Sequence, residues 1–366
     1  MTLSSQSSAN PIPRGSSIGI IGGGQLGRML AMAAARLGYK TIALDPAADC
    51  PAAQVVDRVI CADYSDASAV AELSEASDVI TFEFENVDVE AIRSRTGETA
   101  VYPPLDALAI SQDRLIEKRF LNENGLQAAE FATIDNLADL KTALIAFDGH
   151  GILKTRRFGY DGKGQVRISP DGPSAEEALK LIKNAPAVLE KLIDFECEVS
   201  VIVTRSLAGD VKCFDPARNT HENGILSVSA VPSGVAIEIE TKAQGLATTL
   251  VEKLNYVGTL GLEFFVTRDG ELKANEFAPR VHNSGHWTEA ACSTSQFEQH
   301  IRAITGLPLG DPSRHSDASM ANLLGDDIEK IPTLAWQDNL VVHDYGKTEA
   351  RPGRKMGHYT RILPKT

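Results

Sequence analysis

At 366 residues, 43% hydrophobic and 23% charged, the chain has the make-up of a soluble globular protein of two or three domains. A formal net charge of −13 argues against general binding to nucleic acid or to an anionic membrane surface. The five cysteines (Cys50, Cys61, Cys197, Cys213, Cys292) are odd in number and form no C-x-x-C, which argues against a disulfide framework or a cysteine zinc site. They read as buried thiols in a reducing, cytoplasmic setting.

In chain order, residues 1–15 are rich in Ser, Ala and Pro without an apolar core, and are expected to form a disordered tail rather than a signal peptide. No apolar run is long enough to span a bilayer. From 16 to 112 strand and helix patterns alternate: Ile18–Ile21, a helix from Gln25 to Leu37 closed by Gly38, Thr41–Leu44, Val59-Ile60, an Ala-rich helix, and Val79–Phe82. Such alternation predicts parallel strands with crossover helices, a Rossmann-like α/β domain. Gly22-Gly23-Gly24-Gln25-Leu26-Gly27 follows the first strand and matches G-x-G-x-x-G, with Asp45 closing the second strand. Taken alone this is a dinucleotide fingerprint, and an NAD-dependent oxidoreductase is one reading of it. No hydride-transfer constellation follows downstream, however. Gln25, Glu83 and Glu85 fall at or just beyond the carboxyl ends of these strands, where open α/β sheets place ligands.

A helix from Arg114 to Asn124, ended by Gly125, opens a second region, 113–306, of α+β character. Between its strands, Gly159-Tyr160-Asp161-Gly162-Lys163-Gly164-Gln165 places three glycines in six residues beside a lysine. Backbone N–H groups there can converge on a phosphate, and Lys154, at the end of an apolar strand, needs an anionic partner. An ordinary Asp-Gly hairpin is the alternative. Glu190-Lys191-Leu192-Ile193 ends a strand whose main chain could read an adenine edge, and Glu198 and His221 are further polar candidates.

The strand Gly261–Thr267 and its partner Glu271–Phe277 flank Asp269-Gly270, the dipeptide of a two-residue type I′ turn. That turn pairs Arg268 with Glu271 and Glu263 with Glu276. Directly opposed like charges destabilise a hairpin. A bound Mg²⁺, or Mn²⁺, would remove the repulsion, since Mg²⁺ takes one or two carboxylates plus phosphate oxygens; a slipped register, or one glutamate facing solvent, is the alternative. The segment 307–366 carries five prolines, strand-like Leu340–Val342 and His358–Leu363, and a basic stretch from Tyr345 to His358 suited to an anion.

The order of a strand lysine, a glycine-rich loop, a Glu-led hinge and a Glu…Asn-Glu hairpin resembles the ATP-grasp fold. Three strings, Gly22–Met29, Gly159–Gln165 and Pro279–Thr288, resemble the N5-carboxyaminoimidazole ribonucleotide synthetase family, and the resemblance runs from Ile18 to Leu363. It implies a Rossmann-like pre-ATP-grasp domain (16–112), an ATP-grasp domain (113–306, mobile over about 150–190) and a small β-rich C-terminal domain (307–366). It implies ATP- and bicarbonate-dependent carboxylation of 5-aminoimidazole ribonucleotide in purine synthesis, in a homodimer. Residues matching the family's ATP site are Arg114, Lys154, Gly159 to Gln165, Glu190 to Ile193, Glu198, His221, Asn275 and Glu276, with Glu263 and Glu276 at the metal. The hinge glutamate is expected to accept from the adenine amino group. Gln25, Glu83, Arg280, His282, Asn283, Ser284, Lys347 and Arg354 fall to the ribonucleotide, and Arg280, Lys154, Tyr160 and Asp161 to catalysis. Alternatives are a formate-using glycinamide ribonucleotide enzyme, a biotin carboxylase, or the dehydrogenase above.

Overall fold

The computed structural model describes residues 10–159 and 163–366. Tyr160, Asp161 and Gly162 of the glycine-rich loop, and residues 1–9 of the expected tail, lie outside that range. Residues 10–15 are held: the Ile12 N–H donates to the Thr305 carbonyl at 3.0 Å, and Ile12 packs on the core. That end of the expected tail is therefore structured.

The first sheet is parallel, in the order Arg58–Cys61, Lys40–Asp45, Ser17–Ile21, Val79–Phe82, Ala100–Val101. Its central strands are buried on both faces, which is why they read as continuous apolar runs. The helix Gln25–Arg36 stops where Gly38 takes a φ of +84°, a conformation that glycine supplies without steric cost. The order of connection reverses between Ser17–Ile21 and Val79–Phe82, so the crevice of this sheet opens beside Gly22 and Glu83.

A four-stranded antiparallel sheet follows, in the order Phe131–Ile134, Ala187–Glu190, Gly151–Thr155, Gln165–Ile168, covered by the helices Leu137–Ala146 and Ala175–Leu181. The largest sheet runs Leu272–Ala278, Gly258–Thr267, Phe195–Arg205, Ala217–Glu222, Ile225–Val231, Asp317–Leu324, Lys355–Leu363, Leu340–Asp344, with Val211–Cys213 beside Phe195–Arg205. The strand Asp317–Leu324 escapes the sequence reading, and it joins the C-terminal hairpin to Ile225–Val231 in one continuous sheet.

The hairpin bearing Glu263 and Glu276 is built differently from its expected form. Thr267, not Arg268, pairs with Glu271, leaving Arg268, Asp269 and Gly270 as a three-residue loop in which Gly270 alone takes a positive φ, +82°. A two-residue type I′ turn is thus excluded. The resulting one-residue offset is cancelled between Leu262 and Phe264, where the register shifts and Glu263 faces both Asn275 and Glu276. A bulge of this kind re-aims side chains, and it restores the two glutamates to the same stretch of the pair. The thiols also depart from expectation, because Cys61 is exposed and Cys213 half-buried while Cys50, Cys197 and Cys292 are buried.

One buried histidine ties the sheets together. His300 Nδ1 accepts from the Thr259 N–H (3.1 Å), so the protonated Nε2 donates to Thr81 Oγ1 (2.8 Å). Burial pushes His300 from 6.5 down to about 3. A lowered histidine pKa means that the unfolded chain binds more protons between those values, so stability falls as pH drops through that window. His300→Gln should show a shallower loss of urea midpoint over the same range.

Candidate active site

The site is organised by one face of the helix Arg114–Glu123. Asp113 caps its first turn by accepting from the Leu115 and Ile116 N–H groups, and Arg156 grips Asp113 through Nε and Nη2 at 3.0 and 2.6 Å. Residues 114, 117 and 118 fall three and four apart and so share a face. Arg114 Nη1 reaches Glu276 Oε2 at 2.8 Å. Glu117 Oε1 accepts from the Phe277 N–H at 2.7 Å. Lys118, 1% exposed, places Nζ 3.1 Å from Glu190 Oε1, and Lys154 Nζ meets the other oxygen at 3.0 Å. Burial raises the Glu190 pKa, but the charges of Lys154 and Lys118 outweigh it and hold the carboxyl below its usual range.

Glu117 and Glu263 both feel the charge of Glu276, and the three carboxylates do not behave alike. Glu276 is raised by burial, yet the ion pair with Arg114 brings it down to about 2. Burial and the charge of Glu276 push Glu263 up to about 7, and the same two causes push Glu117 up to about 8. The repulsion read from the hairpin is therefore relieved at least in part by a guanidinium of the protein itself. Glu263 also accepts from Asn275 Nδ2 at 3.4 Å and lies 3.6 Å from His282 Nε2.

The residues present fit a hard cation. Glu263, Glu276 and Asn275 offer oxygen donors on one hairpin, and Asn275 Oδ1 is buried without a hydrogen-bond partner among the described residues. Beyond them, Glu198 pairs with His221 across neighbouring strands. Burial works against the charged imidazole, but the Glu198 carboxylate outweighs it and raises the His221 pKa.

A cleft of ≈ 690 Å³ joins this hairpin to the crevice of the parallel sheet. Gln25, Glu83, Arg280, His282, Lys347 and Arg354 line it, as do Arg114, Gly159, Lys163 and Glu276. Arg280 Nε contacts Glu85 Oε1 at 2.8 Å, Lys347 Nζ donates to the Lys355 carbonyl at 2.6 Å, and Arg354 Nη1 to the Glu349 carbonyl at 2.8 Å. Burial and the Arg280 charge push His282 down to about 3, so its ring is neutral.

Other expected residues stand elsewhere. Ser284 is fully buried, with Ser200 Oγ donating to its Oγ at 2.7 Å, and does not line the cleft. Asn283 does line it, but exchanges both amide hydrogen bonds with Asn322, at 3.0 and 2.7 Å. The Glu190 carboxylate, expected at the adenine amino group, is occupied by its two lysines. Lys191 pairs with Glu130 at 3.1 Å, while Leu192 and Ile193 are half-buried outside the cleft. Lys118, Glu117 and Lys355 were missed. The i, i+3, i+4 spacing from Arg114 was the available signal for the first two.

Three family models cover most of the chain: a ribonucleotide synthetase preATP-grasp domain over 16–112, an ATP-grasp domain over 119–297 and a phosphoribosylaminoimidazole carboxylase C-terminal domain over 318–366. An N5-carboxyaminoimidazole ribonucleotide synthase of Brucella melitensis is 59% identical over 353 residues, covering 96% of this chain and 98% of its own. The chain belongs to the N5-carboxyaminoimidazole ribonucleotide synthase family. Among solved structures, the Staphylococcus aureus N5-carboxyaminoimidazole synthetase complexed with ADP superimposes with a TM-score of 0.92 at 37% identity, covering 97% of this chain and 95% of that one. The Aspergillus clavatus synthase, in complex with ADP and 5-aminoimidazole ribonucleotide, gives 0.90 at 30% identity, covering 96% and 95%.

Membership in this synthase family sets aside the dehydrogenase reading, and the glycine turn gives the physical reason. The Gly23 N–H donates to Asp45 Oδ2 at 2.8 Å and the Gly24 N–H to Glu83 Oε1 at 2.9 Å. Groups that would cradle a pyrophosphate are thus spent on the protein's own carboxylates. A Cβ on Gly23 would lie 2.4 Å from Cys50 Sγ, so close internal packing accounts for the glycine. In the synthase fold, Glu190 is the shared partner of two buried lysines. Glu190→Gln should therefore lower unfolding free energy by about 3–5 kcal/mol in denaturant titration, the usual cost of stranding a buried charge.

Proposed function

We infer that the chain couples ATP hydrolysis to the carboxylation of the exocyclic amine of 5-aminoimidazole ribonucleotide, using bicarbonate. The observation that carries the roles below is the single cleft in which Arg114, Glu276, Arg280 and the basic residues of segment 345–354 meet. Glu263, Glu276 and Asn275 would hold Mg²⁺, or Mn²⁺, which when bound neutralises charge on the β- and γ-phosphates. Lys154 and Lys118, held by Glu190, stand where they can meet the nucleotide's phosphates, and Arg114 keeps Glu276 ionised. Glu198 and His221 bind the ribose end, beside the hinge Glu190 to Ile193.

Bicarbonate oxygen attacks the γ-phosphorus, the bond to the ADP oxygen breaks, and carboxyphosphate forms. Catalysis of such a step rests on positioning and electrostatics. Arg280, aimed by Glu85, receives bicarbonate and the developing negative charge. Gly159 and Lys163, which line the cleft, help to exclude water from the labile intermediate. The amine then takes the carboxyl carbon, phosphate leaves, and Tyr160 or Asp161 orients the amine or accepts its proton. Gln25, Glu83 and neutral His282 face the imidazole and ribose, while Lys347 and Arg354 bind the substrate phosphate as point charge and planar fork. The enzyme works as a cytoplasmic homodimer.

Phosphate release from Mg-ATP and bicarbonate should rise on adding 5-aminoimidazole ribonucleotide, and formate should not replace bicarbonate. That stimulation should disappear in Glu276→Gln, and an unaffected rate there removes the proposed metal role. Lys347→Ala should raise KM for the ribonucleotide by about tenfold with kcat little changed, the signature of lost uniform binding. A fall in kcat alone would place Lys347 in the chemical step instead.

A further inference from the structure

At the far edge of the large sheet, three ligand-bearing side chains converge from three elements. His343 on Leu340–Asp344 and His358 on Lys355–Leu363 are direct cross-strand partners, their rings stacked with centroids 5.2 Å apart and 18° between planes. Glu289, on the short helix Thr288–Ala291, brings Oε2 to 3.4 Å from His343 Nδ1. The donor atoms of the three residues lie within 4.8 Å of one another, and they are the one such group among the described residues.

We propose that Glu289, His343 and His358 bind a transition-metal dication of the Zn²⁺ class, at a site distinct from the Glu263–Glu276 hairpin. The donor set is two imidazoles and one carboxylate, which suits Zn²⁺ and disfavours Mg²⁺. Ligand bonds of about 2.1 Å in a tetrahedron place neighbouring donors about 3.4 Å apart, the separation already found between Glu289 and His343. Only the remaining donor has to close in.

The surroundings are those of a ligating histidine. His358 is 3% exposed, and its Nδ1 lies 2.9 Å from the hydroxyl of fully buried Tyr345. With Nδ1–H donating to that oxygen, Nε2 is left as the ligand atom and the ring orientation is fixed. A fourth ring, His286, lies tilted with its centroid 4.9 Å from that of His358, and its Nε2 is buried without a hydrogen-bond partner among the described residues. Glu289 is exposed, which provides an entry path and room for a water as fourth ligand. The hairpin pinned in this way carries, in its connecting segment 345–354, the cleft residues Lys347 and Arg354. An ion here therefore steadies the segment without entering the chemistry.

Metal-stripped, untagged full-length protein titrated with Co²⁺ tests the site through its visible d–d absorption. One equivalent should give the intense band of a four- or five-coordinate ion, displaced by one equivalent of Zn²⁺ and retained in Glu276→Gln. The band should be lost in His343→Ala, with circular dichroism reporting the fold, and in Glu289→Gln, whose exposed position keeps the test valid should the histidine variant unfold. No band in the unaltered protein overturns the proposal. So does a band undiminished in both variants, or one that disappears only in Glu276→Gln.

Discussion

A single helix face carries the electrostatic load of this molecule. Arg114 and Lys118 on the helix Arg114–Glu123 reach two different sheets, one pairing with Glu276 on the large sheet and the other with Glu190 on the four-stranded sheet. The two sheets are thereby cross-linked by ion pairs, the second of them buried and completed by Lys154. Desolvation makes such pairs weak contributors to net stability, but it makes any rearrangement that separates one of them costly. The arrangement consequently fixes geometry more than it stabilises, which is what a site acting by positioning requires.

The same helix settles how carboxylates of like sign share a small volume. Of Glu117, Glu263 and Glu276, only Glu276 has a directly bonded guanidinium, and it alone is pulled down. The other two are pushed up by burial and by Glu276 itself. Charge is concentrated on one residue, beside an Asn275 oxygen with no partner among the described residues. The bulge opposite Glu263 makes this possible, because it presents both Asn275 and Glu276 to the same strand position.

The glycine motif illustrates how a correct local reading can carry a wrong ligand. The strand, tight turn and helix are all present as the pattern demands. What the pattern leaves open is the destination of the freed N–H groups. Asp45 and Glu83 come from the ends of two other strands, separated from the turn by about twenty and sixty residues, and only the folded sheet brings them to Gly23 and Gly24.

Local periodicity determined a great deal. The parallel strands, the bounding glycines Gly38 and Gly125, the helix beginning at Arg114, and the strands bearing Lys154, Glu190, Glu198, Glu263 and Glu276 were all readable from period-two and 3.6-residue patterns and from turn residues. Motif order pointed to phosphate and metal recognition, which use few residue types at short spacings, and the family resemblance carried by three strings implied the ligase chemistry. Tertiary structure alone decided the hairpin's loop and its compensating bulge, since register depends on both strands at once. It also decided that Asp317–Leu324 fuses the C-terminal hairpin into the main sheet, that Ser284 turns inward, and that Glu190 is claimed by two lysines. These outcomes rest on contacts between residues far apart in the chain, and no local pattern encodes which distant partner will desolvate or neutralise a given charge.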